Sequence, residues 1–419
     1  MRDDRANRGA GAGGRTGKSA QEDHPDLYHH GLLTTPSPFD PSVSRPTWAE
    51  INLDNLLHNF QVMRAAVGPD VAIMPVVKAD AYGHGAVECA RALEMAGADW
   101  FGVALPEEGI KLRDAGISRP ILCLGGFWEG QEELVVAREL TPVVFRLDLL
   151  ERLDGEARRA GASACYHLKV DTGMGRLGVP HDRLANFLDG AARFQNVMLD
   201  GVMTHLASAD EPGKTEFTAR QMSLFEGAVE TVRDRGHRPT WIHAANSAAS
   251  HAYPRSRGNL VRIGGVMYGL WRDVTKPDIE PLDWRPVLSL HTRVALVKTV
   301  PSGTPLGYGG TFVTSRESLI ATLPIGYEDG LRRGLSNIGR VIVRGRFAPI
   351  AGRVSMDLTL IDVTGIDGVM PGDEVVIIGG RGANRISAEE VAAGLETISY
   401  EITCGISDRV PRVTVRVAR

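Results

Sequence analysis

The chain has 419 residues, of which 43% are hydrophobic and 23% charged, an ordinary composition for a globular protein with room for two sizeable domains. Its net charge of −4 offers no excess of positive charge for phosphate backbones, so we expect no nucleic-acid partner. Four widely spaced cysteines indicate free thiols and not a disulfide framework or a metal site, which favours a reducing compartment and therefore the cytoplasm.

The first 44 residues are rich in Arg, Gly, Asp, Ser and Pro and contain no apolar stretch able to act as a signal peptide or membrane span. We predict that residues 1–44 form a disordered extension and that the protein has no membrane partner. His24, His29 and His30 lie in this segment, but without ordered partner ligands they are not assigned a metal site.

Strand-like and helical patterns alternate over residues 45–284. After an entry strand and a helix near Trp48, the apolar run Val71–Val77 begins a series of eight short strand candidates with a helix candidate between successive pairs. This alternation predicts an α/β fold, a (β/α)8 barrel. A doubly wound open sheet is the alternative, although the first turn lacks a G-x-G-x-x-G fingerprint.

The helical alternation stops after Leu270, and seven β-like runs separated by Gly, Pro and Asp follow. They predict a mostly β C-terminal domain over residues 285–419. Its one clear helix should begin near Ser387, because Ser387 and Glu390 have the spacing of a capping box.

Lys78 stands at the C-terminal end of the first barrel strand, before a polar turn. Such an ammonium either forms a structural ion pair or is partly desolvated, which lowers its pKa and makes it a base or a Schiff-base nucleophile. Barrels of this type carry their chemistry at this end and commonly hold a phosphate after the last two strands. There the chain places Asn246-Ser247 and Gly264-Gly265, which could cradle an anion or could be an ordinary helix cap and a glycine turn.

Four further polar residues occupy equivalent strand ends: Tyr82, Arg176, His205 and Arg262. Each residue alone could be structural. Together with a lysine and a phosphate cradle on one rim, they indicate a phosphorylated aldehyde cofactor, pyridoxal 5'-phosphate.

Nine motifs in order along the chain carry a family resemblance: VVKADAYGHG, HLKVDTGMGRLG, THLASADE, HAANSAAS, VRIGGVMYG, GYGGTF, PIGYEDG, GRVSMD and ISYEI. From Arg45 to the C-terminus the sequence resembles the alanine racemases, pyridoxal-phosphate enzymes of fold type III. The resemblance implies interconversion of L- and D-alanine by two bases, and a supply of D-alanine for peptidoglycan. It also implies a homodimer with shared active sites.

The resemblance also implies roles for single residues. Lys78 would carry the cofactor and act as a base together with Tyr308, and the phosphate would be held by Tyr82, Ser247, Gly264, Gly265 and Tyr400. Arg262 would face the pyridine nitrogen and be oriented by His205, and Arg176 would lie near the cofactor oxygen and the substrate carboxylate. Met356 and Asp357 would close the substrate site, and Lys169 would be carbamylated or, alternatively, form a plain salt bridge.

Two departures from the family pattern are Gly265 and Ser355, where bulkier or thiol side chains are common. Competing functions are a racemase acting on serine or a broader set of amino acids, a fold-type III decarboxylase, and a pyridoxal carrier without activity. A decarboxylase would place an acid at the pyridine nitrogen, where this chain offers Arg262. The sequence does not distinguish alanine from serine as the substrate.

Overall fold

The computed structural model describes residues 44–272, residue 275 and residues 282–416. Residues 1–43 of the predicted extension, including its histidines, lie outside the described residues. Within the described residues the chain forms a barrel of parallel strands with surrounding helices, followed by a β-rich part.

The first ten strands run from the start of the described chain to the end of the barrel. They are β1 (Thr47–Asn52), β2 (Ala72–Pro75), β3 (Phe101–Val103), β4 (Ile121–Cys123), β5 (Thr141–Val144), β6 (Ala164–Asp171), β7 (Val179–Pro180), β8 (Val197–Met203), β9 (Trp241–His243) and β10 (Leu260–Ile263). The helices between them are α1 (Leu53–Val67), α2 (Lys78–Gly83), α3 (Ala86–Met95), α4 (Pro106–Asp114), α5 (Glu132–Ala137), α6 (Leu147–Arg159), α7 (Leu184–Ala191), α8 (Thr215–Asp234) and α9 (Ser247–Ala252).

Eight of these strands close into a ring, which confirms the predicted barrel. Strands β3, β4, β5, β6, β8 and β9 pair in that order, and β10 pairs in parallel with β2. A bridge between Val76 and Gly102 joins β2 to β3, and the Arg262 N–H donates to the Ala245 carbonyl to join β10 to the end of β9. All residues of β3, β4, β5 and β10 are buried, because helices cover the outside while side chains fill the interior.

Strand β1 does not enter the barrel, although the boundary predicted at residue 45 assigned it there. It pairs with two strands of the β-rich part, antiparallel to β11 (Leu288–Arg293) and parallel to β21 (Arg412–Val415). The reason is geometric: the ring is already complete with eight strands, whereas the β-rich sheet has a place between β11 and β21. The division near residue 284 stays a prediction.

Within the described residues the β-rich part contains one large sheet, one small sheet and a separate two-stranded pair. Its remaining elements are β12 (Leu296–Val300), β13 (Pro305–Leu306), β14 (Phe312–Val313), β15 (Ser318–Leu323), β16 (Arg340–Val343), β17 (Arg346–Pro349), β18 (Thr359–Asp362), β19 (Glu374–Arg381), β20 (Asn384–Ile386), α10 (Ala388–Ala393) and α11 (Ser399–Cys404). The large sheet has the order β17-β16-β19-β11-β1-β21, with β20 beside β19, and the small sheet has the order β12-β15-β18.

The predicted helix cap is present, because the Ser387 hydroxyl accepts a hydrogen bond from the Glu390 N–H at the start of α10. Helix α11 packs against α2 and brings Tyr400 to the barrel mouth. Among the described residues, no helix combines the length and apolar character that crossing a bilayer requires.

Candidate active site

A cavity of about 460 Å³ opens at the C-terminal ends of the barrel strands. Its lining contains nine of the predicted site residues: Lys78, Tyr82, Lys169, Arg176, His205, Ser247, Arg262, Gly264 and Tyr400. A larger cavity of about 690 Å³, between α1 and the large sheet, contains none of them. The convergence of polar side chains, not volume, identifies the smaller cavity as the candidate site.

The turn after Lys78 has an unusual backbone. Ala79, Asp80, Ala81 and Tyr82 all have left-handed φ angles, between 51° and 57°, although none is a glycine. Each such residue costs about 1–2 kcal/mol, so the conformation needs support from its surroundings. The Glu108 carboxylate accepts from the Ala79 N–H at 2.7 Å, and the Asp80 carboxylate accepts from a backbone N–H of α3 at 3.0 Å. The supported turn directs both Lys78 and Tyr82 into the cavity.

The Lys78 amine is tuned toward its neutral form. Burial lowers its pKa, and the positive charge of Arg176 lowers it further, while Glu108 and Cys404 oppose the shift. A lowered pKa increases the fraction of neutral amine near neutral pH, and only the neutral amine can attack an aldehyde carbon. The nucleophile interpretation of Lys78 is therefore favoured, and among the described residues no carboxylate forms an ion pair with it.

The residues of the predicted phosphate cradle come from α9, the end of β10 and two tyrosines. The Gly264 N–H donates to the Ser247 hydroxyl at 2.9 Å. A Cβ atom at Gly264 would lie 2.6 Å from the Tyr82 hydroxyl oxygen, and one at Gly265 would lie 2.2 Å from that of Tyr400. In this arrangement a side chain at either position would displace a tyrosine hydroxyl, so the two glycines let both hydroxyl groups approach the backbone closely.

The plain helix-cap interpretation of Ser247 does not hold. The residue that caps α9 is Asn246, whose side chain accepts from the Ala249 N–H at 3.0 Å. Ser247 is instead buried beside Gly264 and lines the cavity. Its hydroxyl, with those of Tyr82 and Tyr400, forms a set of neutral donors suited to a phosphate.

Arg262 is buried and held by neutral acceptors. Its NH1 group donates to the Nδ1 atom of His243 at 2.9 Å and to the His243 carbonyl at 3.0 Å. Its NH2 group donates to the carbonyls of Thr204 and Ala244 at 2.8 and 2.9 Å, and contacts the Nδ1 atom of His205 at 3.3 Å. Among the described residues, the Nε–H has no hydrogen-bond partner and no carboxylate pairs with the guanidinium.

His205 therefore contacts Arg262 as the resemblance implies, but His243 holds it at a shorter distance and was missed. Only its place in the strand motif TWIHAAN, three residues before Asn246, could have drawn attention to it. Burial lowers the pKa of Arg262 to about 9, so the side chain stays protonated at neutral pH.

Lys169 is a buried amine without a partner among the described residues. None of their carboxylates lies within ion-pair distance of it, so the plain salt bridge is absent. Burial lowers its pKa to about 8, and the positive charges of Arg262 and Arg176 contribute, whereas Asp171 acts in the opposite direction. The three neighbouring cations, Arg262, Arg176 and Lys78, outweigh the Asp171 carboxylate, which leaves the site with an electrostatic deficit of negative charge.

Four predicted residues are absent from the lining of this cavity: Gly265, which directly follows Gly264, and three residues of the β-rich part. Tyr308 is 73% exposed on a 3-10 turn of the β-rich part, Met356 is 50% exposed, and Asp357 accepts a hydrogen bond from Arg409 at 2.8 Å. None of the three lines the cavity around Lys78. Within one chain the site therefore has one of its two predicted bases.

Comparison with known proteins places the chain in a family. The family model described as "Alanine racemase, N-terminal domain" matches residues 51–271, and that described as "Alanine racemase, C-terminal domain" matches residues 287–414. The alanine racemase of Halothermothrix orenii is 45% identical over 373 residues, which cover 88% of this chain and 97% of that protein.

Solved structures of alanine racemases are similar to this chain over most of its length. The alanine racemase of Bacillus anthracis with bound L-Ala-P has a TM-score of 0.83 and 37% identity, covering 91% of this chain and 97% of that one. The alanine racemase of Bartonella henselae with covalently bound pyridoxal phosphate has a TM-score of 0.79 and 28% identity, covering 88% and 99%. These similarities confirm the resemblance inferred from the sequence motifs. The chain belongs to the alanine racemase family.

Proposed function

We propose that this chain interconverts L- and D-alanine with pyridoxal phosphate bound at Lys78. The observation that carries the proposal is the convergence on one cavity of a Lys78 amine with a lowered pKa, a hydroxyl-lined glycine cradle and a buried Arg262. The chain covers 97% of the alanine racemase of Halothermothrix orenii and 97% of that of Bacillus anthracis, which supports the proposal.

The residues fit this cofactor at its aldehyde carbon, its phosphate and its ring nitrogen. Lys78 would hold the aldehyde carbon, and Tyr82, Ser247, Gly264, Gly265 and Tyr400 would hold the phosphate. The Nε–H of Arg262 would face the ring nitrogen. When bound, pyridoxal phosphate supplies an electron sink that acidifies the Cα–H bond of an attached amino acid. A cationic arginine at the ring nitrogen disfavours ring protonation and limits that sink, which suits a reaction that must return its proton.

Racemisation removes a proton from one face of Cα and delivers another to the opposite face, so it needs two proton carriers. The Lys78 Nζ atom serves one face and the Tyr308 hydroxyl the other. Arg176, exposed at the cavity rim, binds the substrate carboxylate. An isolated chain presents Tyr308 away from its own Lys78, so a second copy of the chain supplies it.

The proposed assembly is a homodimer with a two-fold axis that completes both sites at once. Tyr308, Met356 and Asp357 of each chain would reach into the cavity of the other. Their exposure in the single chain is consistent with this role. We place the enzyme in the cytoplasm, since its four cysteines are free, and assign its D-alanine to peptidoglycan synthesis.

A chiral assay separates this function from its alternatives. Incubation with L-alanine should yield D-alanine until the two enantiomers are equally abundant, because they have equal free energies. Release of CO2 and an amine would instead identify a decarboxylase, and absence of any turnover by cofactor-loaded dimer would identify a carrier. L-Serine belongs in the same assay, since a hydrophobic pocket rejects one added hydroxyl by only about a hundredfold.

We also propose that Lys169 is carbamylated. Its neutral amine would attack CO2, forming an N–C bond and releasing one proton, and the resulting anion would pair with Arg176. A pKa of about 8 leaves part of the amine neutral at physiological pH. The reaction removes the electrostatic deficit, because it replaces one of the clustered positive charges by a negative one.

Carbon-13 NMR of enzyme equilibrated with labelled bicarbonate should show a carbamate carbon that is absent from Lys169→Met. Lys298→Met, which removes an exposed lysine from β12, should keep the signal. We expect Lys169→Met to lower kcat/KM by roughly tenfold or more, since Arg176 loses an orienting anion. Identical carbon spectra for Lys169→Met and wild type would contradict the carbamate.

A further inference from the structure

Two buried histidines behind Arg262 are connected in series. The Nδ1 atom of His167 lies 2.9 Å from the Nε2 atom of His243, and the Nδ1 atom of His243 lies 2.9 Å from the Arg262 NH1 group. Both imidazoles are completely buried in the barrel, on β6 and β9. Trp100 packs beside His167, with ring centroids 5.2 Å apart.

The arginine determines where the protons of both rings lie. A guanidinium can only donate, so His243 Nδ1 must be the unprotonated acceptor and His243 Nε2 must carry the hydrogen. That hydrogen is donated to His167 Nδ1, which leaves the remaining proton of His167 on Nε2. One charged group thus fixes two tautomers in succession.

The series ends in an unsatisfied donor. The Nε2 atom of His167 is buried without a hydrogen-bond partner among the described residues, and the Asp200 carboxylate stands 4.0 Å away, beyond hydrogen-bond distance. Buried donors of this kind are rare and costly. In the opposite tautomer, His243 would carry its hydrogen on Nδ1, facing the N–H groups of Arg262. The buried Arg262 guanidinium would then lose that acceptor. The observed arrangement therefore leaves the His167 Nε2–H without a partner but keeps His243 Nδ1 as an acceptor for Arg262.

We infer that His243 and His167 are positioning residues, a neutral and tautomer-locked pair that fixes the Arg262 guanidinium without neutralising its charge. A carboxylate in the place of His243 would hold the arginine equally well but would cancel the charge presented to the cavity. The imidazole lone pair holds the guanidinium and leaves its charge uncompensated. This consequence for catalysis rests on the proposed function, whereas the tautomer assignment does not.

The electrostatic surroundings agree with neutral rings. In the part of the chain that the structure describes, the charged groups that face the pair are Arg262 on β10 and Asp200 on β8. Burial lowers the pKa of His167 to about 3, and the charge of Arg262 adds to this effect. Burial, Arg262 and His167 together place the pKa of His243 well below its usual value. Since both folded pKa values lie below that of a free histidine, neither ring gains a proton as the pH falls through the usual histidine range.

The direct test is nitrogen-15 NMR of histidine-labelled holoenzyme, with the two signals assigned from the spectra of His243→Gln and His167→Gln. Long-range proton–nitrogen correlations should show the Nε2–H tautomer for both residues, unchanged between about pH 8 and about pH 5.5. An Nδ1–H pattern or an imidazolium at either position would overturn the inference. The measurement needs no turnover, so it can fail while the proposed function stands, and the reverse also holds.

A pair of variants tests the positioning role. His243→Gln keeps an oxygen acceptor for Arg262 and an N–H donor for His167, whereas His243→Leu keeps neither. We expect His243→Leu to lower kcat on the order of 10- to 100-fold with little change in KM and to alter the absorbance spectrum of the bound cofactor, and His243→Gln to recover most of both. His291→Gln, at a buried histidine hydrogen-bonded to Glu374 in the large sheet, should leave the cofactor spectrum unchanged.

Equal losses in His243→Leu and His243→Gln, or none in either, would contradict the positioning role. If His243→Leu fails to fold, the comparison of His243→Gln with His243→Asn replaces it. The shorter amide of asparagine cannot reach both neighbours, so it should show the larger spectral change. An asparagine variant with the same spectrum as the glutamine variant would overturn the inference.

Discussion

Replacing Lys78 by alanine should abolish turnover of alanine and the absorbance of covalently held cofactor together. Lys78 combines the attachment point with one of the two proton carriers, so its loss removes more than the 10²–10⁴-fold that a single general base contributes. The variant should fold normally, because the half-buried Lys78 makes no hydrogen bond or ion pair among the described residues. Absorbance spectra and the chiral assay on the same preparation check both effects.

Lys78→Arg is the matched control, since it keeps a long cationic side chain but cannot condense with an aldehyde. It should be as inactive as Lys78→Ala, which would show that charge and size are not sufficient. Borohydride fixes a lysine-bound aldehyde irreversibly, so peptide mapping can identify the lysine. Cofactor fixed with wild-type yield at another lysine of Lys78→Ala would show that the assignment is wrong.

Replacing Tyr308 by phenylalanine should have the second large effect, and it should differ between the two enantiomers of alanine. If Tyr308 serves the face from which L-alanine loses its proton, Tyr308→Phe should slow Cα deuterium exchange from L-alanine by about 10²–10⁴-fold and from D-alanine far less. Stability should change little, because Tyr308 is 73% exposed. Exchange in heavy water, followed by mass spectrometry for each enantiomer, measures the asymmetry. D-Alanine serves as the internal control, and equal losses from both enantiomers would make Tyr308 a structural residue.

The barrel could be predicted from the sequence because its eight strands are short apolar runs with a helical pattern between successive pairs. Parallel strands buried on both faces produce that signal directly. Strand β1 produces a similar local signal, yet its partners β11 and β21 lie more than two hundred residues away along the chain. Local pattern shows that a strand forms, but it does not show which sheet the strand joins.

The site was predictable where single residues carry the chemistry and not where the backbone or a tautomer does. Lys78, Arg262 and Ser247 stand at strand ends, a position visible in the sequence. The left-handed turn at residues 79–82 contains no glycine, so the sequence does not indicate it. The carboxylates of Asp80 and Glu108 support its backbone instead. The role of His243 likewise depends on contact with Arg262, which sequence distance does not reveal.

The central claim is that one active site needs Lys78 from one chain and Tyr308 from another. Unfolded Lys78→Ala and Tyr308→Phe chains, each inactive in alanine turnover, should be mixed in equal amounts and refolded with pyridoxal phosphate. Random assortment makes half of the dimers mixed, and each mixed dimer has one intact site of two, so the mixture should recover roughly a quarter of wild-type activity. A mixture that is no more active than the separate variants, although mixed dimers are demonstrated by mass, would contradict the claim and show that each chain completes its own site.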